Sequence, residues 1–120
     1  MPDVLVAISD LMFQSKVDAT ARAVGVMPGR ARRGSTLWAD VRETGARRVI
    51  IDLTSPAFGG VEAVRALRKE LGMDVEVVGY CRHTHEELIA SARAAGCNAV
   101  LTQGQLSDQL ADLLASRPLA

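Results

Sequence analysis

Val49-Ile50-Ile51-Asp52-Leu53-Thr54-Ser55-Pro56-Ala57-Phe58-Gly59-Gly60 joins a short run of β-branched residues to one carboxylate and then to a loop of proline and glycine. Val49, Ile50 and Ile51 are stiff at χ1 and suit a strand buried on both faces, the kind found in parallel sheets. Asp52 is the first charge at the carboxyl end of that strand, where open α/β sheets gather ligands and chemistry. Past the loop, Val61, Val64, Leu67 and Leu71 recur at helical spacing, so the unit reads strand, loop, helix.

The same unit recurs on either side. Val4-Leu5-Val6-Ala7-Ile8 reads as another central strand. Ser9 or Asp10 can cap the helix after it, with Phe13, Val17, Ala21 and Val24 on one face. Between Val26 and Arg33, Pro28 and Gly29 weaken any strand, so one placed there must lie at the sheet edge. Ser35 is a good cap for a helix carrying Leu37, Trp38 and Val41. Val75 to Tyr80 is a fourth strand, and Thr84 with Glu87 forms a capping box opening a helix with Leu88, Ile89, Ala92 and Ala95 inward. Ala99 to Thr102 is a fifth strand, and Ser107 caps a last helix with Leu110, Leu113 and Leu114. Gly25, Gly45, Gly72 and Gly96 each stop a helix shortly before a strand candidate, as short αβ loops require. Right-handed crossovers then give a three-layer αβα, flavodoxin-like fold with a five-stranded parallel sheet in the order 2-1-3-4-5. One domain is expected over residues 1–120, its core running from about 3 to 115, with a fraying tail at 116–120.

Composition narrows the function. Fourteen Lys and Arg balance 14 Asp and Glu, which gives no general grip on nucleic acid or on an anionic membrane. Aromatic residues make up 3%, too few for base-stacking platforms. Two cysteines make no disulfide framework, and the apolar run near the N-terminus is too short to span a membrane, so a reducing cytoplasm is the expected setting.

The Asp52 loop resembles the signature of bacterial response-regulator receiver domains, in which a phospho-accepting Asp is followed four residues on by proline and eight on by glycine, as by Pro56 and Gly60. The resemblance runs from Val4 to about Leu114 and implies a signalling domain with Asp52 as phospho-acceptor. At the other matching positions the chain departs from the family. The acidic pair that helps to hold Mg²⁺ is matched by Ile8 and Ser9, with Asp10 one residue late. The Ser/Thr of strand four is matched by Cys81, the Lys of strand five by Gln103, its following proline by Gly104, and the aromatic switch residue by Val100. Phosphoryl transfer to a carboxylate is mainly positioning and charge neutralisation. A hard cation offered one firm carboxylate binds poorly. The expectation is therefore a degenerate receiver-like domain, a pseudo-receiver that is not an enzyme and holds no cofactor. It would act on a protein partner through a constitutive surface, either the one built by the fourth helix, fifth strand and fifth helix or the first-helix face. With no output domain after Leu114, any signal would leave through this domain's own surface. Leu106, Leu110, Leu113 and Leu114 exceed what one covered sheet face needs, which predicts a homodimer.

Other readings stand beside this one. Asp52 could serve a phosphorylatable single-domain regulator with Asp10 as stand-in ligand, or it could only cap the loop that follows it. Asp10 itself reads more simply as a helix cap. Cys81-x-His83-x-His85 puts a thiol and two imidazoles at the same end of the sheet, as a zinc site or a Cys–His nucleophile would, although the spacing is not a usual metal pattern. Arg30, Arg32 and Arg33, with Arg47 and Arg48, are the basic clusters; they read as solvated loops, or alternatively as an anion or acidic-partner site. Cys97, Met12, Phe13 and Trp38 read as buried or half-buried packing residues.

Overall fold

Val4–Ala7 (β1) and Arg48–Asp52 (β3) are buried at every residue, and only a strand covered on both faces satisfies such runs. The computed structural model describes residues 3–32, 36–82 and 85–117. Around the two central strands lie Gly29–Arg30 (β2), Glu76–Cys81 (β4) and Ala99–Thr102 (β5), all parallel, in the order β2-β1-β3-β4-β5. Five helices connect them: Leu11–Val24 (α1), Leu37–Thr44 (α2), Gly60–Leu71 (α3), Glu86–Ala95 (α4) and Gln103–Leu114 (α5). The expected fold class and strand order are those found. As Pro28 requires, β2 is a two-residue edge strand.

Alternation along the strands sorts the core into two layers. Leu5, Ala7, Val49, Ile51 and Val77 face α2, α3 and α4, and pack with Leu37, Val41, Val64, Leu67 and Ala92. Val4, Val6, Ile50, Val78 and Tyr80 face α1 and α5, and pack with Phe13, Val17, Leu106 and Leu110. Because the strands are parallel, β1, β3, β4 and β5 end on the same edge of the sheet, where Ser9, Asp10, Asp52, Arg82 and Gln103 stand.

Several expectations change at the helix ends and on the helix faces. α5 starts at Gln103 rather than after Ser107. Thr102 is its N-cap, with the Thr102 hydroxyl accepting from the Gln105 amide and the Gln105 side chain accepting from the Thr102 amide. That capping box leaves no loop between β5 and α5, and Ser107 falls inside the helix. His85 occupies the N-cap of α4 without a side-chain bond, and Thr84, proposed for that cap, lies outside the described residues. Ser35, proposed to cap α2, also lies outside them, as does most of the tail; Thr36 stands at that N-cap. Val24 and Met12 are exposed rather than packed.

The apolar surplus on α5 does not exist. Leu106, Leu110, Leu113 and Leu114 are 0–2% exposed and complete the layer that α1 and α5 share with the sheet. A helix closing the end of a small sheet is wrapped more deeply than a one-stripe helix, so all four are used inside the domain. They supply no face for a second copy.

The basic clusters change as well. Arg48 is 4% exposed and not solvated. Its guanidinium donates to the Glu76 carboxylate at 2.6 and 2.8 Å and to the carbonyls of Leu113 and Arg117 at 2.9 and 2.6 Å. Arg30 pairs with Asp18, and Arg32 with Asp40 and Glu43, so these two arginines are matched by carboxylates of the same chain. Arg33 lies outside the described residues.

Candidate functional site

Asp52 closes β3 and is 7% exposed. Its Oδ1 accepts from the Thr54 amide at 2.9 Å and from the Thr54 hydroxyl at 2.7 Å, an Asx-type turn that fixes the carboxylate at the mouth of the loop. The other oxygen makes no hydrogen bond to a described residue, and Asp52 borders an open depression of about 530 Å³. Ser9, Asp10, Met12, Thr54, Ser55, Pro56 and Arg82 line the rest of it. Asp52 thus ends β3 and caps the loop that follows it.

The loop after Asp52 explains its own proline and glycine. Pro56 opens a 3₁₀ turn over Pro56–Phe58, a position where its missing amide hydrogen is no loss. Gly60 has φ +54°, and a Cβ there would stand 2.9 Å from the Leu53 carbonyl oxygen. Only glycine fits so close to backbone in that conformation. Both residues serve the turn from β3 into α3, with or without phosphate chemistry.

Around Asp52 the other matching positions do not assemble a cation site. Ile8 is buried and apolar. The Ser9 hydroxyl donates to the Ser55 hydroxyl at 2.8 Å, tying the β1 loop to the β3 loop. Asp10 is the N-cap of α1: its Oδ1 accepts from the Met12 and Phe13 amides at 2.9 and 3.2 Å. Its Oδ2 accepts from the Arg82 guanidinium at 2.6 Å. The Phe13 amide, helped by the Met12 amide and Arg82, holds its carboxyl below the ordinary carboxylate range against the opposing effect of burial. Octahedral Mg²⁺ is usually held by one or two carboxylates free to approach it, with waters and phosphate oxygens completing its shell. One carboxylate already engaged and one Asp52 oxygen fit that ion poorly, and among the described residues no group of three His, Cys, Asp or Glu could hold a metal.

Neither Cys81 nor Gln103 is hydrogen-bonded to Asp52, although Cys81 follows Tyr80, the register partner of Asp52 on β4. Cys81 is fully buried, and its thiol makes a long contact of 3.9 Å to the Leu101 carbonyl. Burial pushes that thiol's pKa up, which leaves it a poor nucleophile. His85 is exposed at the start of α4, and His83 lies outside the described residues. Gln103 lies with Gly104 and Ser107 in a second depression, and Arg82 borders both hollows. Val100 is buried in the core. Burial also raises the Cys97 thiol, to about 11, in keeping with a packing role.

Arg82 is the residue the sequence did not single out. It is the first residue past β4, and its side chain crosses to Asp10, 72 positions earlier in the chain. One signal was available: directly after β1, β3, β4 and β5, this is the only Lys or Arg.

No family model and no curated protein matches the sequence. Among solved structures, the receiver domain of the Francisella response regulator 1452 is 20% identical with a TM-score of 0.79, covering 97% of this chain and 95% of that one. The response-regulator domain of Thermotoga maritima CheB is 17% identical with a TM-score of 0.75, over 97% and 95%. A BeF3-activated DrrB receiver domain is 16% identical with a TM-score of 0.70, over 97% and 96%. At these identities the likeness establishes the fold.

Proposed function

We propose that this chain, which has the fold of response-regulator receiver domains, is a signalling module that works by binding other proteins and does not run Mg²⁺-dependent aspartyl phosphorylation. One observation carries the reading: the carboxylate nearest the family's acidic pair, Asp10, is consumed by two backbone amides and a guanidinium. Ile8 and Ser9 add no charge beside it. The phosphoryl group would also meet no lysine, because the matching position carries Gln103, which lines the neighbouring hollow. A site with no group to sense a phosphoryl has no second state to favour, so its surfaces are held in one conformation. The start of α1 offers contact area beside the depression, where Leu11 and Met12 are 80% and 85% exposed. A cytoplasmic setting fits two free cysteines. No helix among the described residues is long and apolar enough to cross a membrane.

A second reading, a phosphorylatable regulator, draws on the second oxygen of Asp52, which borders the depression without a hydrogen bond to a described residue. Amide NMR spectra with Mg²⁺ and BeF3 separate the two. Unchanged spectra are expected; saturable shifts radiating from Asp52 into α4 and β5 would establish the second reading instead.

A further inference from the structure

We infer that Arg82 is a built-in counter-ion whose guanidinium takes the place of an external divalent ion at the strand ends. Removing its charge would turn the Asp10–Asp52 depression into a divalent-cation site. The inference rests on the reading that the native site is metal-independent, and it names the cause of that independence.

The depression holds two carboxylates, Asp10 and Asp52, and one cation, Arg82, a local charge of about −1. The guanidinium sits 2.6 Å from Asp10 Oδ2, the oxygen that α1 does not use. Any ion approaching that oxygen meets the guanidinium first, and two positive groups within a few ångströms repel. Asp52 is more than nine-tenths buried, has one oxygen without a partner among the described residues, and borders the same hollow. Hydroxyls of Ser9, Thr54 and Ser55 also line it. Without Arg82 the local charge falls to about −2, and oxygen-bearing residues at the ends of β1 and β3 border one open hollow, the donor type hard cations select. Arg82 is well exposed, with its side chain 62% accessible, so its loss leaves the core intact.

Mn²⁺ is the probe, because its paramagnetism broadens amide signals near where it binds. It is titrated into wild type, Arg82→Ala and Arg82→Lys, after a melt confirms that each folds. Arg82→Ala is expected to show saturable broadening at Asp10, Asp52 and Thr54, with affinity at least about tenfold above wild type. Arg82→Lys keeps the charge and is expected to stay with wild type. Equal responses in wild type and Arg82→Ala would overturn the counter-ion role and leave the proposed function standing. A lysine variant behaving like alanine would overturn it too, by showing that bulk and not charge closes the site. Tight, saturable binding by wild type, lost in Asp52→Asn, would overturn both.

Discussion

Leu113→Asp is expected to unfold the domain outright, with far-UV circular dichroism and amide dispersion lost at 25 °C. Leu113 is 2% exposed in the layer formed by α1, α5 and the sheet. The substitution removes a packed side chain and places a carboxylate in an apolar layer, at a combined cost of about 5 kcal/mol or more. Stability of a domain this size is roughly 5–15 kcal/mol in total, so little folded protein should remain. If α5 were instead a dimer face, the same substitution would yield a folded monomer. Sedimentation of a folded, soluble Leu113→Asp protein would therefore contradict the packing described above.

Arg48→Ala is expected to cost about 2–4 kcal/mol, read as a lower urea midpoint at unchanged slope. One guanidinium satisfies the Glu76 carboxylate and the carbonyls of Leu113 and Arg117, joining the first residue of β3 to the far end of α5. Glu76 is partly exposed and can turn to water, which limits the loss; the Leu113 carbonyl lies in buried surroundings and cannot. Arg48→Lys should recover only part of the stability, because an ammonium lacks the planar fork that reaches three partners at once. A change below about 0.5 kcal/mol for Arg48→Ala would mean that water replaces these bonds freely.

How much of this was legible in the sequence follows from which forces are local. The β-branched runs at Val4 and Val49, the helix-stopping glycines and the Asp52-Pro56-Gly60 spacing are backbone rules, and they gave the strand order and the sheet edge at which Asp52 stands. Two errors came from counting apolar or basic residues without knowing what lay across from them. The α5 leucines looked surplus because the depth of wrapping by β1, β3 and β4 is not written in α5 itself. Arg48 looked solvated because its partners, Glu76, Leu113 and Arg117, are 28 to 69 positions away. Ser107 displaced Thr102 as a helix cap because a strand with no loop after it leaves no composition change to read. Arg82 was missed for the same long-range reason: its meaning comes from Asp10, at the other end of a crossing that only the assembled sheet creates.

The resemblance to receiver domains held for the fold because the matching residues, Pro56 and Gly60, are demanded by the turn itself. The same geometry would be needed in a chain that had never held a phosphoryl group. Loop signatures of this kind thus report architecture more strongly than chemistry, and the chemistry has to be judged on Asp10, Arg82 and Gln103.

Intact-mass analysis after incubation with acetyl phosphate and millimolar Mg²⁺ tests the central claim most directly. Wild type and Asp52→Asn are each expected to keep their own unmodified mass, with no phosphoryl adduct on either. A phosphoryl adduct on wild type that disappears in Asp52→Asn would contradict it and make Asp52 a working phospho-acceptor.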